Sequence, residues 1–261
     1  MKNRLSLLAC VFLLSGHHAP LVAMKIDRVI MASDTNPTYL DFWPMVSRAW
    51  STIVGVRPTL ALISDKDIQI DQTYGEVIRI KPIEGISTAF QSQVIRLLLP
   101  FYFQNEVCLI SDIDMIPLQK NYFLDAVATI ANNCLVIYRE PDNEWEQRFY
   151  MCYVAAQGKT FSSIFGIKKE ADIFTIMRLW HAQNLGWDTD EKMLYRLIKQ
   201  WKEAPTKCKR LHLPIEKRID RSDWHYDISL LQQQWYIDSH MIRPYSAHKA
   251  ELDNFFSLIG I

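Results

Sequence analysis

The stretch CLISDIDMIPL, residues 108–118, carries the decisive pattern. An apolar run leads into two aspartates one residue apart, and a second apolar run containing Pro117 follows. Apolar on both faces, the first run reads as a buried strand of a parallel sheet. Carboxylates at the mouth of such a strand are costly to keep charged without a partner. Positions i and i+2 of an extended segment face the same side, so Asp112 and Asp114 would crowd each other and raise one pKa. A divalent cation relieves that conflict, because hard cations take carboxylate oxygens readily. A cation that also grips a diphosphate would give the chain a hold on a nucleotide.

Working outward, strands and helices alternate. RVIMAS (Arg28–Ser33) is a strand by its continuous apolar run, and strands follow at 59–64, Glu76–Ile80, 107–111, 134–138 and 149–156. Helical patterns fill 41–54, with Pro44 in the first turn, 88–104, kinked or ended near Pro100, and 122–132. The second half is more helical, at 171–183, 190–201 and 247–259, and 238–245 reads as irregular chain. Such alternation predicts an α/β fold: one domain over 24–261 with a Rossmann-like, mainly parallel twisted sheet flanked by helices. Ligands of such sheets bind at the carboxyl ends of the strands, where strand order reverses. Asp34, Asp65 and Asp112 each follow a strand directly, although Asp65 reads better as a solvated turn.

Composition narrows the function classes. The chain has 261 residues and is 49% hydrophobic, enough for a sizeable core. Lysine plus arginine equals aspartate plus glutamate, 29 each, so no net charge favours nucleic acid or an anionic membrane. Five cysteines occur without a Cys-x-x-Cys pair, which argues for inert buried thiols. Residues 1–23 combine Lys2 and Arg4 with an apolar run too short for a comfortable membrane span. That reads as a signal peptide, implying export or a secretory lumen, or as a stretch upstream of a true start at Met24, implying the cytoplasm. Either way the domain expected over 24–261 carries no transmembrane span.

VCLISDIDMIPLQKNYF resembles the Asp-x-Asp region of nucleotide-sugar glycosyltransferases with the GT-A fold, and the resemblance runs from about Arg28 to Tyr245. It implies a single GT-A-like domain that uses a nucleotide-diphosphate sugar donor and Mn²⁺ or Mg²⁺. By the same resemblance, Ala32, Ser33 and Asp34 in ASDTN belong to the nucleotide pocket. Arg96 faces the donor sugar and phosphates, and Asp112 contacts the ribose or the metal. Asp112, Asp114 and His240, the last in YIDSHMIRPY, form the metal set, with Asp238 or a backbone carbonyl expected behind the imidazole. GWDTDEKMLYRLI is similar to the acidic segment beside the transferred sugar, which makes Asp190 and Glu191 the catalytic candidates. The acceptor would be a hydroxyl of a glycan, lipid or protein.

Aromatics at Tyr153, Trp187 and Trp224 raise a sugar-stacking surface, with Trp224 better placed in the core. Two rivals share the motif. A haloacid-dehalogenase-type phosphatase also ends a strand in Asp-x-Asp, but on its first strand and with Thr or Val where Ile116 stands here. A non-catalytic sugar-nucleotide or glycan-binding protein would keep the fold without the reaction.

Overall fold

The computed structural model describes residues 22–139, 146–211 and 215–261. Residues 1–21 of the expected leader therefore lie outside the described residues. Ala23 forms a bridge with Ala131, and Met24 is buried, its N–H donating to the Ile130 carbonyl at 2.7 Å.

Ten strands follow in chain order: β1 (Arg28–Ser33), β2 (Arg57–Ile63), β3 (Glu76–Ile80), β4 (Val107–Ile110), β5 (Met115–Pro117), β6 (Leu135–Ile137), β7 (Val154–Gln157), β8 (Cys208–Arg210), β9 (Arg218–Ile219) and β10 (Asp238–His240). Seven build one sheet in the order β3-β2-β1-β4-β7-β6-β8. Every neighbour pair in it is parallel except those of β7, which runs antiparallel to β4 and β6. The mainly parallel α/β sheet read from the sequence is thus present. Side chains of its central strands alternate between two apolar layers. Val29, Leu60 and Leu109 enter one; Ile30, Ala61 and Ile110 enter the other. Burial on both faces is why these strands read as continuous apolar runs.

The chain order reverses between β1 and β4. A crevice therefore opens where Asp34 and Asp112 emerge from neighbouring strands.

Several expected elements differ. The helix expected over 122–132 is confined to Lys120–Leu124. Beyond it, the Ile130 carbonyl accepts from Met24 and the Asn132 N–H donates to Val22, so pairing with the incoming chain overrides helical propensity. The strand expected over 149–156 forms at Val154–Gln157. The helix expected over 88–104 ends at Leu98 and tightens into a 3₁₀ turn, Leu99–Phe103, which accommodates Pro100. Residues 238–240, read as irregular, are β10, the centre of a second sheet ordered β5-β10-β9. Gly158 follows β7 at a close approach. A Cβ there would lie 2.3 Å from the Pro100 carbonyl oxygen, so any larger residue would force the helix Gly158–Phe165 away from the Leu99–Phe103 turn. Cys108, Cys134 and Cys152 are buried thiols, as expected. No helix among the described residues is long and apolar enough to cross a membrane.

Candidate functional site

A cleft of about 660 Å³ lies over the carboxyl ends of β1 and β4, a size suited to a nucleotide-sized ligand. Asp34 leaves β1 and enters a tight turn. Its Oδ1 accepts from the Asn36 N–H at 3.0 Å and its Oδ2 from the Thr88 hydroxyl at 2.7 Å. The turn is thereby tied to the helix Thr88–Leu98, whose N-cap is Ser87. Ala32, Ser33 and Asp34 all line the cleft, as does Arg96 two turns along that helix.

Arg96 joins two carboxylates. Its Nη1 donates to Asp112 and its Nη2 to Asp190 Oδ2 at 2.7 Å. Asp190 is fully buried in the first turn of the helix Thr189–Gln200. Burial raises its carboxyl, and Arg96 offsets that only in part. Glu191 lies beside it, pushed up to about 7 by burial and then by the Asp190 charge, with Arg148 opposing at 3.4 Å. Asp190 and Glu191 both line the cleft, Asp190 held by Arg96 and Glu191 with a near-neutral pKa.

The second aspartate has different company. Three side chains converge on Asp114 Oδ2: Arg221 Nη1 at 3.0 Å, Arg243 Nη1 at 3.4 Å and His240 Nε2 at 3.5 Å. Strand register brings His240 there. It pairs with Met115 across β5 and β10, and the Met241 N–H donates to the Asp114 carbonyl at 2.9 Å. His240 Nδ1 faces Asp220 Oδ2 at 3.6 Å, not Asp238, which a bidentate pair with Arg218 occupies instead. Burial works against protonating His240, but the two flanking carboxylates outweigh it and hold its pKa above the usual value. Asp114 is held low: burial opposes this, and His240, Arg243 and Arg221 prevail.

The expected metal set is therefore only partly brought together. His240 meets Asp114, while Asp112 turns to Arg96. Among the described residues, no three His, Cys, Asp or Glu side chains are grouped to hold a metal ion. The donor chemistry agrees: a dication at Asp114 would stand against two guanidinium charges. The residues present do not fit Mn²⁺ or Mg²⁺. Of the aromatics, Tyr153 is core, edge-on to Phe123 at 4.8 Å, and Trp224 is half-buried against Phe255. Trp187 is 75% exposed at the cleft rim.

Sequence reasoning missed Arg148, Asp220, Arg221 and Arg243. For Arg243 a signal was available, since it stands three residues after His240 in HMIRPY. The other three lie in loops or caps with no pattern to mark them.

In comparisons with known proteins, no family model and no curated protein sequence matches the chain. Solved structures do. The galactosyltransferase LgtC in complex with donor and acceptor sugar analogues overlays with a TM-score of 0.51 at 13% identity, over 89% of this chain and 95% of that one. An active-site mutant of LgtC gives 0.52 at 12% identity, over 88% and 95%. The Streptococcus pneumoniae glycosyltransferase GlyE overlays less well, with a TM-score of 0.48 at 14% identity over 84% and 55%, and adds nothing to the fold assignment. A likeness at these identities shows the fold alone, and that fold is GT-A-like.

Proposed function

We propose that this protein transfers a sugar from a nucleotide-diphosphate sugar to a hydroxyl of a glycan, lipid or protein. The observation that carries this reading is the convergence, in one cleft at the β1–β4 reversal, of an anionic wall and a cationic wall. Ala32, Ser33 and Asp34 line the end where a nucleoside would lie. Arg221, Arg243 and His240 face where the diphosphate would follow, and Glu191 faces the sugar and the acceptor.

In the reaction the bond from the anomeric carbon to the diphosphate oxygen breaks, and its electron pair leaves with the diphosphate. The acceptor oxygen forms the new bond to that carbon and loses its proton. Fixed cations stabilise the charge that grows on the leaving group, and they act most strongly in a partly dry cleft. Glu191 is the candidate to receive the acceptor proton, since a carboxylate raised to about 7 both ionises and accepts a proton near neutrality. Arg96 acts through others, fixing Asp112 on one side and Asp190 on the other.

The test is a panel of nucleotide sugars incubated with the full chain and with mixed sugar and glycan acceptors. Release of nucleoside diphosphate together with a glycosylated acceptor is the expected result. A phosphorylated Asp112, or a fluoroberyllate adduct on Asp112 that mimics it, would overturn it in favour of a phosphatase. Tight donor binding without turnover under any acceptor would favour a binding protein.

A further inference from the structure

Two guanidiniums and an imidazole on one carboxylate oxygen make an arrangement suited to an anion. Asp114 is buried, whereas Arg221, Arg243 and His240 are part-exposed and line the cleft. A guanidinium presents five N–H donors in a planar fork. Arg221 and Arg243 each direct one nitrogen at Asp114, and among the described residues their other N–H groups meet no protein acceptor. Arg243 also lies over the Tyr39 ring at 4.7 Å, which limits its freedom before any ligand arrives.

Asp114 therefore behaves as an anchor. One carboxylate cannot neutralise two guanidiniums, and His240 is matched separately by Asp220 on its far side. What remains is a positive focus with unused donors turned to the cleft. Planar forks of this kind match phosphate oxygens in pairs, and pre-fixed donors lose little freedom on binding.

Resting on the glycosyltransferase reading above, we propose that Arg221, Arg243 and His240 hold the donor diphosphate directly, in the place expected for Mn²⁺ or Mg²⁺. Nucleoside diphosphate binding then requires no divalent cation. Asp114 is a positioning residue that orders the three side chains.

The experiment is calorimetry of the full chain with UDP, GDP, ADP and CDP, each in EDTA and again in millimolar Mn²⁺. At least one is expected to bind with affinities that agree within about threefold between the two buffers, since fixed donors do the work. Arg221→Gln and Arg243→Gln should each weaken that binding about ten- to a hundredfold in EDTA, the loss typical of a hydrogen bond to a charged group. Binding seen only with Mn²⁺ overturns this inference and leaves the glycosyltransferase reading standing. Binding in neither buffer overturns both. Unchanged affinity in both arginine variants overturns the clamp. Should a glutamine variant fail to fold, the unaltered chain in EDTA against Mn²⁺ still decides.

Discussion

Arg96 Nη2 and Asp190 Oδ2 meet at 2.7 Å across 94 residues of sequence, joining the helix Thr88–Leu98 to the start of the helix Thr189–Gln200. The pair borders the cleft, with Asp190 fully buried. Arg96→Met would leave that carboxylate buried without its cation. The expected loss is about 3–5 kcal/mol near pH 8, the range for breaking a buried pair from one side. At pH 5 the loss should be smaller, because burial already favours the protonated acid. Urea midpoints at the two pH values measure both numbers. Equal losses at both would show that Asp190 is not the group left stranded.

Glu191 sets a second pH dependence. Its folded-state value is about 7 against an ordinary 4.5, so the folded chain holds the proton more tightly than the unfolded chain. Stability is then full below about pH 4.5 and falls as pH rises through 7, by roughly 3 kcal/mol. Glu191→Gln should flatten this slope between pH 5 and 8. On the proposed reaction the same variant should lose turnover while keeping nucleoside diphosphate affinity, since Glu191 would face the acceptor. If the slope survives in the glutamine variant, another acid is responsible.

Asp34 separates binding from scaffold. Thr88→Val removes the 2.7 Å hydrogen bond to Asp34 but keeps the carboxylate. It should cost about 1 kcal/mol and leave nucleotide affinity nearly unchanged. Asp34→Ala also removes the acceptor for the Asn36 N–H, so it should destabilise somewhat more and weaken UDP or GDP binding. Calorimetry and melting of the two variants check this. Equal affinity in both would make Asp34 a turn residue and nothing more.

Much of this architecture was legible in the sequence, for definable reasons. β1 and β3 were read to the residue because apolar or β-branched runs end at clear breakers. The Asp-x-Asp turn stands at the end of an apolar strand, whereas only the family resemblance points to Arg96 and to the Asp190–Glu191 pair; the fold brings all of them to one cleft. The β5–β10 pairing was not legible. Each strand has three residues, and their ladder joins Met115 to His240 across more than a hundred residues, which no local period encodes. Nor could the sequence tell which partner each aspartate takes. Asp112 and Asp114 were read as facing one ion, but the second sheet draws Asp114 to Arg221 and Arg243 while Arg96 claims Asp112.

The second sheet offers the last test. Arg218 on β9 and Asp238 on β10 form a bidentate pair, one contact at 2.7 Å, with Asp238 fully buried. Their strands are in parallel register, Asp238 with Arg218 and Ser239 with Ile219. That register places Asp220 and Arg221 just past the end of β9, near His240 at the end of β10. Arg218→Met should cost about 3–5 kcal/mol, because Asp238 would stay buried and charged without a partner. The double variant Arg218→Met/Asp238→Leu removes both charges, and it should recover most of that loss. Backbone pairing and not the ion pair then sets His240, so the double variant should bind nucleoside diphosphate within about threefold of the unaltered chain, as expected for a site whose own residues are untouched. Denaturant unfolding and calorimetry on the single and double variants give both readings. A stable double variant that no longer binds would mean that Arg218, which also lines the cleft, contacts the ligand itself.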